Sequence, residues 1–328
     1  MELPSIDVII PTLNEGANLS GCLEAVFRQD YDRERLMVTV VDGGSIDSTV
    51  EIAKRYGCRV LFNEERLAEP GVAKGISASG SDLCCVLAVD NIIVNERDFF
   101  RELARPFMEK DVKGAFPLVI YDKNEPAINK YITERAEPFT EFIYMNACNT
   151  RTFYRVYPAL FRNEAYTIFD FKGRTPPLLA LAQAFTVRRD SFVSKPQNKD
   201  YDLLPVLDLI GAGADIAYVE SALIYHHQIM SISSFIKKFR WRIRMNLAPG
   251  VSEKKLNFFS PGMRLRRALW TFYAASIIGP LIYSVCQCVT KKKLFYFYHF
   301  ICSEILLVLI IWEYASLKTA GKEIKTYK

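Results

Sequence analysis

The chain has 328 residues, of which 50% are hydrophobic and 13% aromatic, so a disordered or low-complexity chain is excluded. Its net charge of +5 is unevenly distributed. Residues 228–328 contain 17 Lys and Arg against four Asp and Glu, whereas residues 1–227 contain 25 against 33. A basic C-terminal third behind an acidic body indicates that this third faces a polyanion, either nucleic acid or an anionic membrane surface.

The first 90 residues alternate between short apolar runs and amphipathic segments. Buried strands are predicted from the apolar runs at 6–11, 37–41, 58–62 and 83–89. Helices are predicted over 18–29 and 47–56, where apolar residues recur at helical spacing. This alternation predicts an α/β domain whose mostly parallel sheet is covered by helices on both faces.

Polar residues follow three of the predicted strands. Thr12 and Asn14 come after the first strand, Asp42 after the second, and Asp90 after the fourth. Ligands bind at the carboxyl ends of parallel strands, so these residues predict a single site. Asp42 stands beside two glycines at such a strand end; an ordinary tight turn is the alternative interpretation of this motif.

The segments after residue 184 indicate contact with a membrane. A strand is predicted over 185–188, a helix over 203–212 and a further strand over 216–219. Residues 233–247 then combine basic and apolar side chains at helical spacing, which is typical of an amphipathic helix in a membrane interface. Because apolar segments follow closely, we expect a membrane partner and no nucleic acid.

Two apolar segments close the chain. Residues 269–289 carry no charge, and residues 294–312 are apolar except for His299, Ser303 and Glu304. Each is long enough to cross a bilayer of about 30 Å, so the pattern predicts a transmembrane helical hairpin, kinked at Gly279-Pro280. A pair of buried helices in a soluble core is the alternative. The excess of Lys and Arg at the outer ends predicts an integral membrane protein with both termini and the catalytic domain in the cytoplasm.

The motifs in this order resemble those of the inverting family 2 glycosyltransferases of the GT-A fold. The resemblance rests on Pro11-Thr12-Leu13-Asn14-Glu15, on Val-Asp-Gly-Gly-Ser-Ile-Asp-Ser-Thr at 41–49, and on the strand that ends at Asp90. Blocks at 71–75, 187–190, 199–204, 225–227 and 239–241 match later family motifs, the first of them a loop after the third strand. The resemblance covers about residues 5–245.

The resemblance implies a UDP- or GDP-sugar donor and a lipid-linked or glycan acceptor. It places the base and ribose against the first loop and Asp42, and the diphosphate near Lys74. The catalytic base of the family corresponds to Asp200, with Asp202 as the alternative. A structural alternative for both acids is that they lie at the solvent-exposed start of a helix. The nucleotide-sugar candidates are Pro11, Thr12, Asn14, Glu15, Asp42 and Lys74, and the acceptor or diphosphate candidates are Asp202, His226, Arg240 and Trp241.

Two positions depart from the family pattern. Ala88 stands where the family has the first carboxylate of Asp-x-Asp, so Asp90 alone is the expected ligand of a divalent Mg²⁺ or Mn²⁺ ion. One carboxylate plus phosphate oxygens can hold such an ion, which leaves the metal requirement open. Lys199 stands where the family has Glu. Both departures motivate an alternative function, a non-catalytic scaffold that binds a nucleotide-sugar or lipid in a glycan-assembly complex.

The sequence therefore predicts four segments. A GT-A catalytic domain occupies residues 1–230, and a basic amphipathic interface segment occupies residues 231–266. Two transmembrane helices lie within residues 267–316, and residues 317–328 form a basic cytoplasmic tail. The expected activity is that of a membrane-anchored glycosyltransferase of the hexosyltransferase type.

Overall fold

The chain folds into two compact units. A computed structural model describes residues 2–145, 149–174, 177–178, 182–192, 204–228, 231–247 and 260–320. The first unit comprises Met1–Ile120 and Thr150–His226, and the second comprises Tyr121–Asn149 and His227–Lys328. Residues 121–149 thus group with the C-terminal helices, although the sequence predicted a contiguous domain over 1–230. The functional extents of the four predicted segments stay a prediction.

The first unit is built on a ten-stranded sheet with helices against it. Its strands are β1 (Ile6–Thr12), β2 (Leu36–Asp42), β3 (Arg59–Phe62), β4 (Leu83–Leu87), β5 (Asn91–Ile93), β6 (Gly114–Ile120), β7 (Ala159–Arg162), β8 (Tyr166–Phe169), β9 (Gln183–Arg188) and β10 (Ile216–His226). Its helices are α1 (Gly16–Phe27), α2 (Thr49–Arg55), α3 (Ala68–Ala78), α4 (Phe99–Glu109) and α7 (Leu204–Gly211). The strands and helices predicted from the sequence are confirmed with small shifts at their ends, except that β10 continues seven residues beyond the predicted 216–219.

The strand order is β3-β2-β1-β4-β9-β6-β10-β8-β7, with β5 paired to β10. Strands β1 to β4 pair in parallel, as predicted. The prediction of a mostly parallel sheet is wrong for the second half, where β9, β8, β7 and β5 pair antiparallel. At β7–β8 the reason is local. Asn163 Oδ1 accepts hydrogen bonds from the N–H groups of Ala165 (2.9 Å) and Tyr166 (2.8 Å), and so short a turn allows only an antiparallel pair.

The core explains why the first strands are apolar along their whole length. In β1, Ile6, Val8, Ile9 and Ile10 are all fully buried, because helices cover both faces of a parallel strand. The chain runs from β1 outward through β2 and β3, then returns to place β4 on the other side of β1. Ligands of α/β sheets bind at such a reversal, which here lies at the carboxyl ends of β1 and β4.

The block 71–75 is helical, so its prediction as a loop is wrong. Gly71 and Gly75 lie four residues apart on one side of α3. A Cβ atom on Gly75 would lie 2.5 Å from Cγ2 of Ile9 and 3.2 Å from Cγ2 of Val41. These glycines therefore allow α3 to approach β1 and β2 closely, and Lys74 falls on the exposed side of the helix.

We expect Gly75→Ala to lower the melting temperature of the protein. The added methyl group overpacks the contact with Ile9, at a typical cost of about 1–3 kcal/mol, which exceeds the gain in helix propensity of about 1 kcal/mol. Gly21→Ala in α1 is the matched control, because a Cβ atom there meets nothing within 4 Å. The control is expected to raise the melting temperature slightly. Equal stabilisation by both changes would contradict the close approach of α3.

The second unit is helical among its described residues. Its helices are α5 (Ala127–Arg135), α6 (Pro138–Ile143), α8 (Ile232–Leu247), α9 (Pro261–Ala275), α10 (Ile278–Lys291) and α11 (Tyr298–Ala320). The predicted amphipathic helix is confirmed as α8, in which Phe235 and Phe239 are buried and Trp241 is exposed. These two phenylalanines join Tyr131 of α5 and Trp270 of α9 in one apolar cluster.

The predicted transmembrane hairpin is not confirmed. The helical stretch Leu294–Ser316 has a mean hydropathy of 2.1 and is long enough to cross a membrane. The predicted first span is instead two helices, α9 and α10, which meet at 89°. Ile277 has a φ of 59°, and Ser276 Oγ accepts a hydrogen bond from the Gly279 N–H at 3.0 Å. Pro280 therefore falls in the first turn of α10, where proline is tolerated, and does not kink a continuous helix.

Candidate functional site

The ends of β1 and β2 form the first part of the site. Thr12 and Asp42 are register partners in the parallel pair. The Gly43 N–H donates to the Thr12 carbonyl at 2.8 Å, and the Thr12 hydroxyl lies 3.4 Å from Asp42 Oδ1. Two of the predicted residues therefore lie side by side at the carboxyl edge of the sheet, with Pro11 directly before them.

The Asp42 carboxylate stabilises its own turn. Oδ2 accepts from the N–H groups of Gly44 and Ser45, both at 2.9 Å, and Oδ1 accepts from the Ser45 hydroxyl at 2.5 Å. With Thr12, four donors surround a carboxylate that is only 4% exposed, which fills the lone pairs such a group offers. The structure therefore shows the tight turn that was the alternative interpretation of this motif. Direct recognition of a base by Asp42 stays a prediction, since a base N–H would have to displace a hydroxyl.

Hydrogen bonds connect the loop after β1 to the loop after β2. The Asn14 N–H donates to Ser45 Oγ at 2.8 Å, and Asn14 Oδ1 accepts from the Ile46 N–H at 3.0 Å. The Glu15 N–H donates to the Thr49 hydroxyl at 2.9 Å. Asn14 has a φ of 56°, a left-handed conformation that asparagine tolerates better than most residues. These bonds fix the two loops relative to each other before any ligand binds.

Asp47 is a further loop residue whose role the sequence analysis missed. Its carboxylate accepts from the Thr49 hydroxyl at 2.5 Å and from the Gly16 N–H at 3.0 Å, and these bonds, led by Thr49, lower the pKa of Asp47. It therefore stays ionised and anchors the start of α1 to the second loop. The Asp-x-Thr spacing at 47–49 is the signal that was available in the sequence.

Exposed apolar side chains border the two loops. Phe62, at the end of β3, is 56% exposed, and Leu13 and Leu67 are also exposed. A Cβ atom on Gly44 would lie 3.3 Å from Cε2 of Phe62, and the φ of Gly44 is 86°. Glycine at this position thus leaves the Phe62 ring accessible. The apolar run at 58–62 predicted a buried strand, so Phe62 was missed as a surface residue.

We expect Asp42→Asn to weaken both the turn and nucleotide binding. The amide nitrogen of asparagine cannot accept a hydrogen bond, so one side of the turn loses its acceptor, at about 1–3 kcal/mol. The melting temperature is expected to fall, and titration with UDP and GDP should show weaker binding by about tenfold or more, since 1.4 kcal/mol is tenfold in affinity. Asp98→Asn, at the exposed start of α4, is the control and should change neither measurement.

Asp90 and His226 form the second part of the site. His226 ends β10 and is the register partner of Asn91 in β5, directly after Asp90. His226 Nε2 lies 3.4 Å from Asp90 Oδ2. The buried Asn91 amide donates to the Ala182 carbonyl at 2.5 Å, and the Ala88 N–H donates to the same oxygen at 3.0 Å. Asn91, which the sequence analysis did not assign, therefore holds the turn that presents Asp90.

This pair fits a divalent cation only in part. A carboxylate and an imidazole are both ligands that Mn²⁺ accepts, and both side chains reach solvent. Ala88 contributes no ligand, and no group of three His, Cys, Asp or Glu side chains suited to a metal occurs among the described residues. Asp90 and His226 would hold an ion whose other ligands are diphosphate oxygens and water, as Mg²⁺ commonly has them.

The remaining predicted residues have other positions. His227 belongs to the second unit, where its Nδ1 lies 2.5 Å from Glu125 Oε1. Arg240 Nε donates to Glu313 Oε1 at 2.7 Å in that unit, and Trp241 is exposed on α8. The assignment of Arg240 and Trp241 to the acceptor or diphosphate stays a prediction.

The predicted catalytic base lies in a part of the chain that the structure does not describe. Asp200, its alternative Asp202 and the neighbouring Lys199 lie outside the described residues. Their assignment rests on the resemblance alone and stays a prediction.

Comparison with known proteins bears mainly on the first half of the chain. Residues 7–169 match the sequence model of glycosyl transferase family 2. An N-acetylglucosaminyltransferase from Bradyrhizobium elkanii is 35% identical over 138 residues, which are 39% of this chain and 74% of the relative. A dolichyl N-acetyl-alpha-D-glucosaminyl phosphate 3-beta-D-2,3-diacetamido-2,3-dideoxy-beta-D-glucuronosyltransferase from Methanococcus voltae is 29% identical over 103 residues, or 29% of this chain. This chain spans only 32% of the length of that archaeal relative.

A solved structure shares the fold. The mannosyltransferase PcManGT from Pyrobaculum calidifontis, in complex with GDP-Man and Mn²⁺, superposes with a TM-score of 0.54. The match covers 95% of this chain and 88% of that protein, at 13% sequence identity, so it establishes the fold and no more. The shared fold confirms the predicted GT-A fold, and the family match together with the named relatives confirms the predicted glycosyltransferase class. The chain belongs to glycosyl transferase family 2.

Proposed function

We propose that this protein transfers a sugar from a UDP- or GDP-sugar to a lipid-linked acceptor at a membrane surface, with inversion at the anomeric carbon. The observation that carries the proposal is the arrangement at the carboxyl edge of the sheet. There, the loops after β1 and β2 are locked together, and Asp90 and His226 are in contact. A nucleoside diphosphate needs a surface for its base and contacts that neutralise its phosphates. Exposed Phe62 and Leu13 offer the first, and a metal held by Asp90 and His226 would supply the second.

The nucleoside half of the donor would bind at the two locked loops. Phe62 and Leu13 provide apolar surface for a base ring, and Gly43 and Gly44 allow close approach of the backbone. Because Asn14 and Ser45 already fix the loops, little conformational entropy is lost when the nucleotide binds.

The diphosphate would bind beside Asp90 and His226. A divalent ion held there would neutralise the charge that develops on the leaving nucleoside diphosphate. Asp90 and His226 would hold that ion, and Lys74 is a further candidate cation on α3. The mannosyltransferase from Pyrobaculum calidifontis binds Mn²⁺ together with GDP-Man, which supports this choice of metal.

The acceptor hydroxyl would lose its proton to Asp200, attack the anomeric carbon and displace the nucleoside diphosphate. Its attachment to a lipid is supported by the basic, apolar C-terminal third and by the name of the Methanococcus voltae relative, which specifies a dolichyl-linked substrate. The sugar and the nucleobase belong to the same proposal and are identified by experiment.

The test is turnover of purified full-length protein in lipid vesicles. UDP- and GDP-sugars are offered one at a time with a polyprenyl-phosphate-linked acceptor, with Mn²⁺ or with a chelator. Release of UDP or GDP that depends on the acceptor, together with a heavier lipid product, is expected for one donor. Tight donor binding without any turnover would instead support the non-catalytic scaffold, for which Ala88 is the structural argument.

A further inference from the structure

Both ends of the bent helix pair α9–α10 return to one short segment. We call residues 121–145, which directly follow β6, the helical insert. Near the start of α9, Arg266 Nε donates to the Ile143 carbonyl at 2.7 Å. Just after α10, Lys293 Nζ lies 2.7 Å from Glu134 Oε1 and 3.0 Å from the Tyr121 hydroxyl. A helix pair whose two ends meet the same insert does not deliver the chain to the opposite side of a membrane.

Contacts along α10 strengthen this conclusion. The Tyr283 hydroxyl donates to Glu141 Oε1 at 2.6 Å, and Arg135 hydrogen-bonds Gln287. Arg135 and Glu141 are themselves an ion pair at 3.5 Å, with both side chains buried. Because α10 packs on a charged insert at successive turns, it is not surrounded by lipid as a spanning helix would be.

The bend between α9 and α10 is apolar, and large side chains at it are exposed, although Tyr273 beside it stacks on Phe142 of the insert. No charged residue occurs over 268–290. At and beside the bend, Phe272 is 75% exposed and Ile278 is 64% exposed. From Arg266 to Ala275 the helix rises about 14 Å, far less than a hydrocarbon core of about 30 Å, and the bend of 89° reduces the depth further. The geometry is that of a wedge that enters one leaflet.

The long helix α11 is held by α8 at its far end. Glu313, which is 1% exposed, accepts from Arg240 Nε at 2.7 Å and from Arg244 Nε at 2.6 Å. Its start is held by the insert, where the Tyr131 hydroxyl lies 2.9 Å from His299 Nδ1. Along the helix axis, Glu313 lies about 21 Å beyond His299, past the midplane of a bilayer if α11 crossed it.

Such a crossing would also draw α8 into the hydrocarbon. That helix carries five cations, at Lys237, Lys238, Arg240, Arg242 and Arg244. Each cation is costly at the centre of a bilayer, even on the lower of the available scales. In the plane of the interface, by contrast, the same cations attract anionic headgroups.

We propose that the described helices of the second unit form a monotopic anchor for one anionic leaflet. The α9–α10 wedge enters that leaflet, and α11 lies beside α8 in the interface, so that no described helix crosses. The inference rests on the membrane association in the proposed function, and it replaces the predicted hairpin topology. The occupant fits by charge and by hydropathy, because α8 carries five cations and the same unit exposes the apolar residues Phe272, Ile278 and Trp312.

Three reporter variants of the full-length chain, each with one added cysteine, distinguish the topologies. Lys54→Cys, exposed on α2, marks the side of the catalytic sheet; Lys292→Cys marks the connection after α10; and a cysteine appended after Lys328 marks the C-terminus. A membrane-impermeant maleimide is added to intact cells and to inside-out vesicles, and the unaltered chain gives the background from native cysteines. We expect all three reporters to react from the same side.

Two outcomes overturn the proposal. Reaction of Lys292→Cys from the side opposite Lys54→Cys would establish the two-span hairpin. Reaction of the C-terminal cysteine alone from the opposite side would establish one crossing by α11. Neither outcome affects the proposed transferase activity, which the turnover assay measures separately.

A second measurement tests insertion of the wedge. Flotation with vesicles of 30% anionic lipid is expected to fall by about tenfold or more for Phe272→Glu combined with Ile278→Glu, because each charge at the apex opposes burial in lipid. Leu160→Glu, at an exposed apolar position on β7, is the matched control and should float like the unaltered chain. Unchanged flotation of the double variant, or release of the unaltered chain by carbonate, would overturn the inference.

Discussion

Replacing Asp90 with alanine is expected to abolish sugar transfer, with a loss of at least ~10³-fold in turnover. Asp90 is the carboxylate that the turn at 88–91 presents at the sheet edge, and Ala88 offers no substitute. A metal that polarises a phosphoryl oxygen contributes several kcal/mol to the transition state, and each 1.36 kcal/mol is tenfold in rate. The same variant is expected to lose any dependence of nucleotide binding on Mn²⁺.

Two companion variants make this prediction specific. Asp111→Ala removes an exposed carboxylate before β6, at the opposite edge of the sheet, and should leave turnover unchanged. Ala88→Asp restores the family's first carboxylate and should tighten Mn²⁺ binding. Full activity of Asp90→Ala would remove Asp90 from the site, whereas a fall in activity with intact Mn²⁺-dependent binding would assign it to another step.

The first half of the sheet was predictable from the sequence because its signals are local. A strand covered on both faces must be apolar throughout, as Ile6, Val8 and Ile10 show, and such runs stand out from the amphipathic helices between them. The site followed from the same logic, since parallel strands bring Thr12 and Asp42 to one edge. The contact between Asp90 and His226 was harder to predict, because it depends on the antiparallel pairing of β5 with β10. The register partners Asn91 and His226 are 135 residues apart in sequence.

The second unit was not predictable in the same way. An uninterrupted apolar run carries no mark of where the chain turns, so the bend at Ser276 and Ile277 was invisible and the Gly279-Pro280 pair suggested a kink instead. The role of the helical insert was hidden for a different reason. Its charged residues Arg135 and Glu141 look like surface residues, and their burial depends on their own ion pair and on distant partners on α10 and α11.

The second large effect is expected at Asp200, which corresponds by resemblance to the catalytic base. Asp200→Asn keeps the size of the side chain and removes its capacity to take a proton. General-base catalysis typically contributes 10²–10⁴-fold, so turnover should fall by at least ~10². Donor binding, measured by titration with the cognate nucleoside diphosphate, should change little, because the base acts on the acceptor and not on the nucleotide.

Asp202→Asn is the matched control for this prediction, since it makes the same chemical change two residues away. If Asp200 is the base, the Asp202 variant retains most of its turnover and the two variants bind the donor equally. The reverse pattern, with Asp202→Asn inactive and Asp200→Asn active, would assign the base to Asp202. If both variants kept full activity, the proton would go to neither acid. The resemblance over 199–204 would then carry no catalytic meaning. Separating turnover from binding in this way also decides between the enzyme and the scaffold, because a scaffold would bind the donor and show no turnover that either substitution could lower.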